Sequence, residues 1–179
     1  MEQNIFDQGI KYDKFYWGRL GNIKEGRGEL GEEMPVLVYR LMQFTMLDVL
    51  SKDLGIQQAS EYFRQAGFLA GVEFSRNVLD LKADFNIFIA NLQKNLLDLK
   101  IGIMRVEEFD SCTGSIVLTV GQDLDCSGLP ITNENVCVYD EGFFAGIFET
   151  YTGKKYNVRE VDCWASGGRV CRFFGSVTM

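Results

Sequence analysis

The chain has 179 residues, 46% of them hydrophobic and 24% charged, and a formal net charge of -7, a composition that suits one globular domain able to bury its own core. The acidic balance and the lack of a basic run argue against a nucleic-acid partner, and no apolar stretch reaches the roughly 18 residues that a membrane helix needs. There is no histidine, which excludes Ser-His-Asp and Cys-His catalysis and every histidine-based metal motif.

The chain order predicts a single domain over residues 1–179. Residues 1–34 form an N-terminal segment with five glycines between positions 18 and 31, a turn at Gly26-Arg27-Gly28, and Phe15, Tyr16, Trp17, Leu20 and Ile23 as anchors. Its first residues are too polar for a signal peptide, so a cytoplasmic location is expected. After Pro35, Val38, Leu41, Met42, Thr45, Leu47, Val49 and Leu50 repeat at helical spacing until Gly55. A second helix follows over about 57–78, with Gly67 and Gly71 one turn apart, either for close backbone approach or for room beside the helix. A third covers 84–99 through Phe85, Phe88, Ile89, Leu92 and Leu96.

Strand signals then take over. The segments 101–106 and 115–120 read as a hairpin across Asp110-Ser-Cys-Thr-Gly114, and 122–133 as a loop. Thr132 or Asn133 can cap a fourth helix over about 134–151, which Gly153 ends. Segments 155–164 and 170–177 form a last hairpin across Ser166-Gly167-Gly168. The expected architecture is α+β: an antiparallel sheet of four to five strands packed against four main helices.

Cys163 and Cys171 stand equally far from Gly167, so a hairpin turning there sets them on neighbouring strands with Cβ atoms ~5 Å apart. That suits a shared zinc or a cross-strand disulfide, and in a reducing compartment the metal is favoured. Cys137, at the start of the fourth helix, where amides and the dipole favour an anion, is the candidate third sulfur. Glu160, brought in by a bend in its strand, is the candidate fourth ligand. Lys154, Lys155, Arg159, Arg169 and Arg172 are candidates to offset the negative charge. The plain alternative is that the cysteines are small buried residues of a packed hairpin. Cys112 and Cys126 are read as buried or loop thiols, whose replacement should leave the metal in place.

The segments Cys137-Val-Tyr-Asp-Glu-Gly142-Phe-Phe-Ala-Gly146, Gly153-Lys-Lys, Glu160-Val-Asp-Cys163-Trp-Ala-Ser-Gly167 and Cys171-Arg-Phe-Phe together resemble the 4-vinyl reductase domain over residues 132–174. This family includes aromatic-sensing domains of phenol- and xylene-responsive activators and stand-alone hydrocarbon-binding proteins. The resemblance implies a structural Zn2+ held by Cys137, Glu160, Cys163 and Cys171 beside a buried hydrophobic pocket. The sensors hold the phenol hydroxyl with a pocket histidine, which this chain lacks. The fold implied is similar to that of small vesicle-tethering complex subunits.

The expected pocket lining is Phe63, Phe68, Phe74, Phe88, Phe143, Phe144 and Trp164, with Gly67, Gly71, Gly142 and Gly146 giving room; the alternative is that this aromatic stripe is plain core. The function implied is a zinc-stabilised binding domain for a hydrophobic or aromatic small molecule, acting as a stand-alone sensor or carrier and as a homodimer. Two other readings stand beside it: an interaction scaffold, and a vinyl-group reductase of tetrapyrrole synthesis. A reductase needs a hydride or electron donor, and no GxGxxG or P-loop is present to bind one, so the non-enzymatic reading is expected.

Overall fold

The computed structural model describes residues 14–178. Residues 1–13, and with them the start of the N-terminal segment and the polar stretch read against a signal peptide, lie outside the described residues. A 3-10 turn at Trp17–Leu20 and a one-turn helix α1 (Ile23–Gly26) lead into α2 (Val36–Leu54), α3 (Ile56–Val78) and α4 (Phe85–Asp98). The hairpin β1 (Ile103–Phe109) and β2 (Ile116–Gly121) follows, then α5 (Val138–Thr152) and the hairpin β3 (Tyr156–Asp162) and β4 (Cys171–Val177). The four strands form one antiparallel sheet in the order β1-β2-β4-β3. The fold is therefore α+β, with four main helices and one short one. Among the described residues no helix is long and apolar enough to cross a membrane.

Local chemistry explains the boundaries. Pro35 sits extended before α2, and Gly55 closes it at φ 82°, a conformation that glycine takes without strain, so that α3 starts at once. Gly153 ends α5 in the left-handed conformation. One boundary differs from the sequence expectation: α5 starts at Val138. The amides of Thr132 and Asn133, expected to begin it, donate instead to the Ala165 carbonyl. That contact docks the incoming loop on the β3–β4 turn and delays the helix by four residues.

On β2, Ile116, Leu118 and Val120 alternate onto one buried face, the pattern of a sheet covered on that side. That cover is α5, whose residues 140–148 are all buried. Phe144 meets Phe173 of β4, and Phe148 meets Tyr156 of β3. Helix α4 closes the same core from one end, where Phe88 stacks on Tyr151 and Phe85 on Phe109.

On its other side α5 crosses α3 at backbone contact. A Cβ at Gly67 or Gly71 would lie 2.0 and 2.1 Å from the carbonyl oxygens of Tyr139 and Phe143. At Gly142 or Gly146 it would lie 1.9 and 2.3 Å from those of Arg64 and Phe68. These four glycines thus serve the close-approach reading; no room beside the helices is left for a ligand at the crossing. Gly142→Ala is expected to cost about 3 kcal/mol, the upper end of overpacking effects, because rigid backbone must give way. Denaturant unfolding would check it, and a loss below about 1 kcal/mol would show that the helices separate easily.

Helix α2 lies outermost and packs on α3 with Gln43 as its one buried residue. Polar contacts secure it. The Tyr39 hydroxyl donates to Asp125 Oδ1 at 2.7 Å, and the Arg40 guanidinium to the carbonyls of Leu124 and Ser127 at 2.9 Å each. The preceding segment is tied to α3 where the Trp17 amide meets Glu73 at 2.8 Å.

Candidate functional site

Four cysteines from four segments converge in the core. Cys163 follows β3 and Cys171 opens β4, as the symmetric hairpin predicts; Cys137 occupies the N-cap of α5. The fourth is Cys126, from the loop between β2 and α5, read from the sequence as a loop or buried thiol and here a member of the cluster. Its sulfur lies 3.0 Å from that of Cys171, and Cys137 Sγ lies 3.8 and 3.7 Å from those of Cys163 and Cys171. All four residues are fully buried, and their sulfurs all lie within 4.8 Å of one another. Cys112 sits exposed in the β1–β2 turn, where its amide donates to Asp110.

The loop that delivers Cys126 is shaped by Asp123, whose Oδ1 accepts the amides of Asp125 and Cys126 at 2.8 and 3.3 Å, an Asx-type turn. Glu160 arrives beside the cluster through a β-bulge between Glu160 and Asp162. There its Oε2 accepts the Cys137 amide at 3.0 Å, so it acts on the unpaired N-terminus of α5, while its Oε1 is buried with no partner. The bend expected in that strand is therefore present, and it aims the carboxylate at a backbone amide.

The surroundings are acidic. Burial pushes the Glu160 carboxyl up to about 8 and, together with the charge of Asp123, Asp125 to about 6. Asp140 and Asp123 are raised in the same way, burial leading. Within the sulfur cluster, hydrogen bonds led by Cys126 pull the Cys163 thiol far down and push those of Cys137 and Cys171 far up. A metal ion held by all four sulfurs would leave a net negative charge in this core. The cations expected to offset it are engaged elsewhere or exposed. Arg172 pairs with Glu107 and Asp162, Arg159 with Glu141, and Lys154, Lys155 and Arg169 are exposed.

This donor set fits a metal ion. A tetrahedral Zn–S4 centre with ~2.3 Å bonds has sulfurs ~3.8 Å apart, close to two of the three contacts above, the Cys126–Cys171 edge being shorter. Four thiols without water access suit zinc or a single iron. The span of 4.8 Å leaves room for one ion.

Beside the metal end, Glu141 ties three elements together. Its Oε2 pairs with Arg64 of α3 at 2.8 Å and Arg159 of β3 at 3.0 Å, and its Oε1 accepts the Glu160 amide at 2.9 Å.

An apolar cavity of about 350 Å3 opens between α2 and α3, lined by Met42, Gln43, Met46, Leu50, Phe63 and Ala66 among others. Of the seven residues expected around a ligand, Phe63 lines it. Phe74, Phe88, Phe143 and Phe144 are buried in the central core, Phe68 lines a smaller hollow near Glu141, and Trp164 is exposed with its indole N–H on the Leu129 carbonyl. The signals missed were Met42 and Met46, flexible side chains that fill or leave irregular space.

The profile of the 4-vinyl reductase domain matches residues 116–176. The uncharacterized protein MJ1642 of Methanocaldococcus jannaschii is 30% identical over 149 residues, which span 81% of this chain and 79% of that protein. Among solved structures, the phenol-responsive sensory domain of the transcription activator PoxR, crystallised with phenol, is similar with a TM-score of 0.64 at 15% identity, over 82% of this chain and 76% of its own. The trafficking protein particle complex subunit 3 from Naegleria fowleri, covalently bound to palmitic acid, is similar with a TM-score of 0.64 at 9% identity, over 80% of this chain and 95% of its own. At such identities these two likenesses speak for the fold.

Proposed function

This chain belongs to the 4-vinyl reductase domain family, and from that membership we propose that it is a zinc-stabilised receptor or carrier for one apolar small molecule, working as a homodimer. The observation that carries the reading is the cavity between α2 and α3. It falls in the size range of small-molecule sites and is walled by methionine, leucine and aromatic side chains, with Tyr39, Gln43 and Tyr139 as its few polar groups. Two proteins of the same fold were solved with phenol and with palmitic acid, which supports an apolar occupant.

Zn2+ is the proposed metal and its role is structural, because four cysteines leave it no open position. When bound, it would supply a cross-link between segments. The chain's own residues then fix the core around it: Cys126 holds the β2–α5 loop, Cys137 the first turn of α5, and Cys163 and Cys171 the two strands of the last hairpin. Glu160 is proposed as the acceptor that seats α5, and not as the fourth ligand.

Native mass spectrometry of freshly purified protein is expected to show a copurified apolar molecule, and the neutral fluorophore N-phenyl-1-naphthylamine is expected to bind at micromolar concentration. Ala66→Trp, an exposed position in the cavity wall, should abolish that binding and leave the fold intact. A protein that carries no ligand and ignores the fluorophore would sink the receptor reading and favour the scaffold.

A further inference from the structure

Helix α2 buries one side chain, and that side chain is polar. An outer helix ordinarily sinks an aliphatic residue into its neighbour; α2 sinks Gln43, which is 9% exposed. Its Oε1 is buried without a hydrogen-bond partner. The N–H2 end of the same amide faces the Asp125 carboxyl, which leaves Oε1 as the free atom. An acceptor buried unmet bears the full loss of its hydration, so such atoms call for a partner from outside the chain. Gln43 lines the cavity, and the terminal torsion of a glutamine is soft, so a donor lying in the cavity can meet Oε1 after a small turn of the amide.

The helix also gives the site its shape. Tyr39, Gln43, Met46 and Leu50 follow one another at helical spacing along the cavity wall, polar at the first end and apolar at the second. The rise from Tyr39 to Leu50 is roughly 16 Å, enough for an extended chain of about ten carbons. At the polar end the Tyr39 hydroxyl is already spent on Asp125. Among the described residues no cation lines the cavity, and Arg40, beside Tyr39 in the sequence, is committed to the carbonyls of Leu124 and Ser127. The charges of Asp140 and Asp125 act on Tyr139, the third polar residue of the lining, so an anion brought here would meet the same repulsion.

We propose that Gln43 selects the occupant of the cavity: an elongated apolar molecule whose one polar end is a neutral hydrogen-bond donor, a primary alcohol being the simplest, and not a carboxylate. This rests on the receptor reading above and adds the chemical class of its ligand. The donor meets Gln43 Oε1, and the apolar body lies along Met46 and Leu50. A fatty acid is turned away because its charge would be buried with no cation to pair it.

Displacement of bound N-phenyl-1-naphthylamine from the full chain tests this with three probes of similar size. 1-Decanol carries the donor, its isomer 1-methoxynonane has the same atoms but no donor, and decanoate carries a charge. Wild type is expected to bind 1-decanol at least about tenfold more tightly than either of the other two. Gln43→Leu keeps the bulk and removes the acceptor; it is expected to bind the alcohol and the ether about equally, through lost affinity for the alcohol alone. The wild-type series decides the matter even where the variant folds poorly. An ether or a carboxylate that matches the alcohol, a folded Gln43→Leu protein that still prefers the alcohol, or three probes that all fail to displace a bound fluorophore would each overturn the inference and leave the receptor reading in place. A fluorophore that never binds would overturn the receptor reading, and the selectivity with it.

Discussion

Cys126→Ser is expected to strip the chain of its metal and to cost about 4 kcal/mol, a fall of roughly 12 °C in melting temperature for a domain of this size. The expectation follows from the burial of the cluster. With one sulfur gone, three thiols and the carboxyls of Asp123, Asp140 and Glu160 remain buried together without the ion that four sulfurs would hold among them. Metal analysis of protein purified under reducing conditions should give about one zinc per chain for wild type, Cys112→Ser and Glu160→Gln, and none for Cys126→Ser. The reverse pattern, zinc retained in Cys126→Ser and lost in Glu160→Gln, would make the glutamate the fourth ligand, as the family resemblance implies. Wild type with a disulfide and no metal would end the zinc proposal.

Glu141→Ala should destabilise by about 3–5 kcal/mol, the range for opening a buried ion pair and leaving its partner charge behind. Arg64 is three-quarters buried and has Glu61 as its other acidic partner, on its own helix. The Glu160 amide would lose its acceptor in the same step. Glu141→Gln, which keeps the shape and one acceptor, should cost less than half as much. Chemical denaturation with metal content measured in parallel separates this from metal loss: zinc should stay. Equal effects from the two variants would mean that shape, and not charge, holds the junction.

The helices were legible because their cores are built from one apolar stripe each: Phe88, Leu92 and Leu96 of α4 are spaced for a single buried face and are fully buried. The last hairpin was legible through its symmetry about Gly167. Cys126 was not, since it lies in a loop and makes no paired CxxC spacing with any of its partners. The turn that aims it depends on Asp123, and Asp123-Leu-Asp-Cys126 is the signal that was available. Of the seven aromatic residues named for a pocket, Phe63 alone lines this cavity, because ring size suits a core as well as a ligand site. A cavity is set by how far α2 stands off α3, and that distance is fixed by Tyr39 and Arg40 reaching a loop more than 80 residues away.

That reach has a consequence for cells short of metal. Tyr39 lines the cavity and also grips Asp125, the residue before Cys126. A ligand in the cavity that altered this contact would change the affinity of the cysteine site, and reciprocity requires the metal to change the cavity's affinity by the same factor. On the proposed function, a chain short of zinc would then hold its apolar cargo with a different affinity from a metal-filled one.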